Sequence, residues 1–198
     1  FTEYMGLENK IASIRLKVIG ENYLDCKNQI QMAATIMRTN KIGFAPLYIQ
    51  YYDRHFEALA QSLKLEANTG NIKTADYSLI FECKPWLVND ISTTISGTGL
   101  INTVGRTLDN GGWTPAIVSI TGTNVTVSGY TATGDFTGYI SISGAVTNFV
   151  IDTEEFEATS NAAMLNSDYQ IYVGPGVTYF AITGATDCTI TYHDRWYL

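Results

Sequence analysis

Four carboxylates in the segment IDTEEFE, residues 151–157, are the side chains with the clearest chemical potential. Asp152, Glu154, Glu155 and Glu157 are the residue types that glycosidases use in pairs and that Ca²⁺ binds. A glycosidase pair must reach one substrate from two positions, and the segment lacks the alternating acidic pattern of a calcium-binding loop. The spacing therefore favours a solvated turn over an acid–base site or a metal site.

The two histidines, His55 and His193, belong to no recognisable metal or nucleophile motif. Asp194 follows His193 directly, and neighbouring side chains of an extended strand point to opposite faces. The two side chains therefore cannot form the His–Asp hydrogen bond that orients a catalytic histidine. The sequence contains no nucleophile elbow, phosphate-binding loop or dinucleotide-binding motif. We predict no catalytic residue, no metal site, no cofactor and no enzymatic activity.

Two further patterns give only weak evidence of function. Trp113 and several tyrosines could stack on sugars, although strands also favour aromatic residues for packing alone. Asn124-Val-Thr fits the N-glycosylation pattern, but nothing else in the sequence indicates secretion. Packing is the favoured interpretation of the aromatic residues.

The three cysteines, Cys26, Cys83 and Cys188, are too few and too scattered for a disulfide framework. We predict three buried thiols in a protein made in a reducing compartment. The chain begins at Phe1 rather than at a methionine, so we expect the true N-terminus to lie upstream.

The net charge of −7 is concentrated in the second half of the 198-residue chain. Residues 1–90 contain ten Lys/Arg and ten Asp/Glu, whereas residues 91–198 contain two and nine. An acidic half repels a phosphate backbone, so specific nucleic-acid binding is not expected. The sequence also lacks a basic membrane-binding face and an apolar run of about 20 residues that could cross a bilayer.

The first half alternates strand patterns with one helix pattern. Residues 11–20 and 76–83 show the period of two that is typical of a half-buried strand, and residues 47–52 read as another strand. A helix is predicted over about 23–38, with Asn22 as its N-cap. Residues 55–67 fit both helical and strand spacing. The segment KPWL, 84–87, closes this half because its proline should stop the preceding strand.

The second half is rich in threonine and glycine and consists of short alternating runs. Seven or eight such runs, about 8–12 residues apart and broken at Gly or Asn, predict an antiparallel sandwich or jelly roll without a helix. The change in composition places the boundary between the two halves near residues 86–92.

Four motifs of the second half resemble the C-terminal domain of siphophage distal tail proteins (Dit). They are WTPA at 113–116, IDTE at 151–154, GPG at 174–176 and the closing RWYL at 195–198. The order of elements in the first half, ending in FECKPW at 81–86, is similar to the N-terminal domain of the family. This order favours a strand over residues 55–67.

Two features depart from the family pattern. The opening segment that usually precedes the first strand, with a G-x-D-G-like turn, has no counterpart before residue 11. The asparagine expected after Pro-Gly is also missing, since Val177 and Thr178 follow Gly176.

The resemblance implies a mainly β fold with one helix in the N-terminal domain. Residues 1–88 would form a tail-tube-like, ring-forming β-sandwich that lacks its true N-terminus, and residues 89–198 a galectin-like antiparallel β-sandwich. The family forms hexameric rings in the virion that join the tail tube to the tail tip or baseplate and its receptor-binding proteins. DNA would pass through the lumen as cargo, and assembly would take place in the bacterial cytoplasm without membrane insertion.

Two alternatives stay open at this stage. A carbohydrate-binding β-sandwich module would use tryptophans such as Trp113 or Trp196 to stack on a sugar. A tail-tube or tail-terminator protein would share the ring but occupy another position along the tail.

Overall fold

The computed structural model describes residues 8–39, 43–48, 53–67, 74–103, 113–155, 157–158 and 170–197. The chain divides into two compact units, Phe1–Leu87 and Val88–Tyr197. The described residues form antiparallel strands and one helix, so the predicted mainly β fold with a single N-terminal helix is confirmed.

The first unit contains a four-stranded antiparallel sheet with the helix packed against it. The strand order is β2-β3-β4-β1, and β1 pairs with β4 over its whole length, from Lys10↔Cys83 to Ile19↔Thr74. The strand assignment of residues 55–67 is confirmed, because pairing with β2 and with β4 overrides the local helical spacing. The elements are β1 (Lys10–Ile19), α1 (Tyr23–Thr39), β2 (Ala45–Tyr48), β3 (Arg54–Ala67) and the first part of β4 (Thr74–Ser96).

The helix α1 begins where the sequence predicts. Asn22 caps it, because its side-chain oxygen accepts a hydrogen bond of 3.0 Å from the Asp25 backbone N–H. Cys26 is buried against Gly20, where any β-carbon would collide with the Cys26 backbone. This close approach joins the end of β1 to the first turn of the helix.

The strand β4 corrects one sequence-based prediction. Pro85 does not stop the strand, which continues without a break to Ser96. The ladder between β1 and β4 ends at Cys83, so no hydrogen bond to β1 is lost at Pro85. A proline is tolerated at this position because no residue of β1 lies opposite it to accept a hydrogen bond from a backbone N–H.

The second unit is a sandwich whose two layers share two long, bent strands, β7 and β12. In one layer, the first part of β12 pairs with β5 and with the second part of β7, which continues to β8 and β11. In the other, the second part of β12 pairs with the first part of β7, which continues to β9. The strands are β5 (Gly99–Asn102), β6 (Thr114–Pro115), β7 (Ile117–Thr131), β8 (Phe136–Ser141), β9 (Ala145–Asp152), β10 (Glu157–Ala158), β11 (Gln170–Val173) and β12 (Thr178–Tyr197).

The bends correct two of the strand ends expected from the sequence. The runs at 116–122 and 124–130 belong to one strand, β7. The runs at 177–184 and 188–198 belong to another, β12, which ends at Tyr197. Gly122 and Gly184 meet where the strands bend, and a β-carbon on Gly122 would collide with the Gly184 carbonyl oxygen. Gly184 also has φ of +76°, a conformation that L-residues avoid. The glycines mark corners rather than strand ends.

One continuous core fills the space between the two layers. It takes its side chains from both halves of β7 and of β12, including Val118, Val127, Phe180 and Ile190. Since each long strand contributes to both layers, the layers are built from the same backbone segments and close over the same apolar residues.

The three cysteines are buried and free, as predicted. Cys188 lies in the core of the second unit, where burial raises the pKa of its thiol from the ordinary 9.0 to about 12, with a smaller contribution from Asp187. Burial also raises the pKa of the Cys83 thiol, although a hydrogen bond to the Ala12 backbone opposes the shift.

Replacing Gly184 with alanine should destabilise the second unit. The added methyl group would combine an unfavourable φ with collisions against the Thr123 and Asn124 carbonyl oxygens. We expect a loss of about 3 kcal/mol in the free energy of unfolding, measured by urea denaturation. Gly134→Ala is the matched control, because Gly134 also has positive φ but open space around it. Equal losses in the two variants would contradict a steric constraint at the corner.

Cys188 should resist alkylation in the folded protein at mildly alkaline pH. The native thiol stays protonated well above pH 9, whereas an unfolded cysteine ionises near its ordinary value. For the same reason the free energy of unfolding should fall as the pH rises from about 9 towards 12. Mass spectrometry after iodoacetamide treatment, with and without urea, measures the protection. Rapid modification of native Cys188 would contradict its burial.

Candidate functional site

The four sequence motifs of the second unit meet in one place, which we call the motif junction. It comprises residues 113–116, the turn at 151–154, the turn at 174–178 and the end of β12 at 195–197. These segments are far apart in sequence and are joined by side-chain hydrogen bonds and one ion pair. The junction is the main cluster of polar contacts that the fold builds from these motifs.

Thr153 is the buried centre of the junction. Its hydroxyl accepts a hydrogen bond of 2.9 Å from the Ala116 N–H. The same hydroxyl lies 2.9 Å from the Ala116 carbonyl oxygen and 3.0 Å from that of Ile171, and it can donate its single proton to one of them. One threonine side chain thus links the turn after β9 to β11 and to the residue between β6 and β7.

Glu154 and Arg195 form an ion pair beside Thr153. One terminal nitrogen of Arg195 donates to both carboxylate oxygens, at 2.6 and 2.7 Å. Arg195 is buried and Glu154 is only partly exposed, so water screens the pair weakly. Burial raises the pKa of the nearby Tyr172 hydroxyl, Glu154 raises it further, and Arg195 lowers it.

Along β12, strict alternation predicts one face with Cys188, Ile190 and Tyr192 and the opposite face with His193 and Arg195. Cys188, Ile190 and Tyr192 point inward as the alternation predicts, and His193 is exposed. The alternation then fails, because Arg195 is buried rather than solvent-facing. The ladder with β7 ends at Thr191, so the residues beyond are not held to its register.

The acidic segment is only partly the solvated turn that its spacing favours. The Asp152 carboxylate accepts hydrogen bonds from the backbone N–H groups of Glu154 and Glu155, at 2.9 and 3.3 Å, and so caps the turn. Glu155 and Glu157 are exposed. Glu154, by contrast, faces Arg195, a partner that lies 41 residues away in sequence and that local spacing could not reveal.

Trp113 contributes to the junction by packing. Its ring lies against Gly174, where a β-carbon would collide with the indole, and the Tyr197 hydroxyl donates to its carbonyl oxygen at 3.1 Å. The Thr114 hydroxyl donates to the His193 carbonyl oxygen at 2.6 Å. The indole is half-buried, so it presents less surface for stacking on a sugar than a fully exposed ring would.

In the turn after β11, Thr178 stands where the family pattern has an asparagine. The Thr178 hydroxyl accepts a hydrogen bond of 2.8 Å from the Gly174 N–H and closes the turn. The Thr178 N–H donates to the Thr103 hydroxyl, and the Thr103 N–H donates to the Thr178 carbonyl oxygen. The Thr178 hydroxyl therefore acts as a hydrogen-bond acceptor, a role that an asparagine side chain could also perform.

The remaining candidate residues lie outside the junction or act through their backbone. The His193 ring nitrogen Nδ1 is 2.8 Å from the Asn89 carbonyl oxygen, and His55 packs on the Tyr48 ring at 5.2 Å. The Asn124 side chain accepts a hydrogen bond from the Gly144 N–H. No group of three or more metal-binding side chains occurs among the described residues. In the same part of the chain, no helix is both long and apolar enough to span a membrane.

No family model and no curated protein matches the sequence. The fold is that of a phage tail hub protein of the Dit type, as the motifs predict. One similar solved structure is that of phage SPP1 Dit, described as a paradigm of the hub adsorption apparatus in phages that infect Gram-positive bacteria. The TM-score is 0.74 at 11% sequence identity, over 95% of this chain and 79% of that one. The phage p2 baseplate in its activated conformation with Sr is also similar, with a TM-score of 0.50 at 8% identity, over 93% of this chain and 78% of that one.

Thr153 and Thr137 should respond in opposite directions to replacement by valine. Thr153→Val would leave the Ala116 N–H without its acceptor, and we expect a loss of about 2 kcal/mol. The Thr137 hydroxyl is buried with no hydrogen-bond partner among the described residues. Thr137→Val should therefore raise the free energy of unfolding by about 1 kcal/mol. Urea denaturation of both variants measures the difference, and a loss at Thr137 would contradict its lack of a partner.

Proposed function

We propose that the protein is a structural component of a bacteriophage tail that forms a hexameric ring and catalyses nothing. The observation that carries the proposal is the backbone likeness to SPP1 Dit, which extends over 95% of the chain. The ring would join the tail tube on one side to tip or baseplate proteins on the other. The protein would be assembled in the host cytoplasm and reside in the virion tail, with DNA as passing cargo.

The open edge of β1 supports ring formation. This ten-residue strand is paired with β4 on one side, and no strand covers its other side among the described residues. Ile11 and Ile19 are 68% and 63% exposed. A long apolar edge is a liability for an isolated chain, so natural proteins usually cover it. A neighbouring copy would provide that cover.

A ring requires two different surfaces that meet head to tail and close after a fixed rotation. The first unit offers a second apolar surface on α1, where Tyr23, Leu24 and Met32 are exposed. Residues 1–90 contain ten basic and ten acidic side chains, so neighbouring copies would not repel one another through net charge. Ion pairs between copies would help to align them in the ring.

The motif junction supports a structural rather than a catalytic role. Its most buried polar groups are engaged with one another, as Thr153 is with Ala116 and Arg195 with Glu154. A hydrolytic site would instead combine a nucleophile or water with an adjacent base and an open position for substrate. The position of the ring distinguishes a hub from a tail-tube or tail-terminator protein, and electron microscopy of tails labelled on this chain would reveal it at the tail end.

Charge on the β1 edge should prevent assembly without unfolding the chain. In the Ile11→Lys, Ile19→Lys double variant, we expect the native mass to fall from six times the 21.8-kDa chain to a single copy. Both residues are exposed, so the melting temperature should change little. Leu100→Lys is the control, because Leu100 is as exposed but belongs to the second unit. A wild-type monomer, or a double variant that still forms the ring, would overturn the role assigned to β1.

A further inference from the structure

Three aromatic rings form an exposed row on the β7–β8 hairpin, which we call the aromatic ledge. Tyr130, Phe136 and Tyr139 are 37%, 57% and 42% exposed. The Tyr130 and Phe136 ring centroids are 5.7 Å apart in an edge-to-face arrangement, and those of Phe136 and Tyr139 are 6.1 Å apart. The rings thus support one another while leaving much of their surface in water.

A β-bulge places Phe136 in this row. Ser128 pairs with Tyr139 and Gly129 with Gly138, but Tyr130 pairs with Phe136, so β8 contains one extra residue, Thr137. The extra residue lets Phe136 project outward while Thr137 is buried. Without the bulge, strict alternation would turn Phe136 towards the core.

The bulge has a local energetic cost. It buries the Thr137 hydroxyl without a hydrogen-bond partner among the described residues, and it exposes an aromatic side chain to water. Bulges are frequent next to functional sites, where they re-aim a side chain. A local cost combined with exposed aromatic surface indicates that the ledge serves binding rather than folding.

The border of the ledge is polar and uncharged on one side and acidic on the other. Ser128 and Gln170 lie opposite Tyr139 on the two neighbouring strands. In the hairpin turn, the Asp135 carboxylate accepts hydrogen bonds from the Thr133 hydroxyl at 2.6 Å and from the Thr131 hydroxyl at 3.3 Å. The ledge therefore combines apolar ring faces with hydroxyl, amide and carboxylate groups held in place.

The acidic charge of the second half disfavours an anionic ligand. Residues 91–198 contain only two basic residues: Arg106 lies outside the described residues, and Arg195 is buried against Glu154. Among the described residues of the second unit, no cation is thus available to bind a phosphate or a carboxylate at the ledge. A neutral polyol matches the aromatic surface and the rim without cations. Its C–H face can stack on the rings, and its hydroxyls can form hydrogen bonds with the polar groups at the rim.

We propose that the aromatic ledge binds a neutral saccharide. Tyr130, Phe136 and Tyr139 supply the stacking surface, and Asp135 and Gln170 accept or donate hydrogen bonds at its rim. The site is distinct from the motif junction and does not depend on the tail function proposed above, because a free sandwich and a ring component would bind in the same way.

Titration of the full chain with neutral oligosaccharides tests the proposal. The probes are oligomers of hexose, 6-deoxyhexose and N-acetylhexosamine at millimolar concentration, followed by NMR of the aromatic ring protons. We expect saturable shifts of the ledge rings and at least about a tenfold weaker affinity in Phe136→Ala and in Tyr139→Ala. Phe136→Trp retains a stacking surface and should keep the affinity.

Matched controls separate stacking from loss of structure. Tyr23→Ala removes a ring that is 63% exposed on α1, and it should leave binding unchanged. Thr137→Val should also bind normally, because its hydroxyl points away from the ledge. The proposal is overturned if no probe binds, if the ledge variants bind as the wild type does, or if polyglycerol phosphate binds better than every neutral probe. Hydroxyl-radical protection of the ledge in the sugar-free assembly would equally overturn it, since the surface would then be a protein interface.

Discussion

The second unit depends on the point where the backbones of β7 and β12 meet at Gly122 and Gly184. No side chain fits between the strands there, and the positive φ of Gly184 lets β12 bend. The bend allows one strand to serve both layers, so a single core forms between them. It also lets the second part of β12 run along the first part of β7 and on to its end, where Arg195 reaches Glu154. The corner is therefore a precondition for the core and for the motif junction alike.

Features controlled by local physics were predictable from the sequence. The alternation of apolar residues identified the strands, Asn22 identified the start of α1, and the isolated cysteines indicated buried thiols. Strand 55–67 required a family resemblance, because its spacing allowed two structures and only the pairing with β2 and β4 decides between them. These elements follow from short-range patterns together with one expected order of segments.

Features controlled by contacts between distant residues were not predictable. Pro85 reads as a stop in isolation, and only the end of the β1–β4 ladder explains why the strand continues. Glycines at 122 and 184 read equally as turns or as corners until the partner strand is known. Arg195 and Glu154 belong to motifs 41 residues apart, so neither strand alternation nor acidic clustering reveals that each is the other's partner. The bulge at Thr137 is likewise a property of pairing and not of composition.

The long pairing of β7 with β12 has a kinetic consequence. The paired residues run from Thr131↔Thr178 to Ile117↔Thr191, so each contact closes a long loop of chain. The chain loses entropy when the loop closes, before the stabilising apolar contacts form. Proteins dominated by such long-range pairings fold in milliseconds to seconds. Until β12 docks, β7 has an unpaired edge and the apolar residues that pack against β12 are exposed. We therefore expect the rate of productive folding, and the loss to aggregation, to be set by the arrival of this one strand.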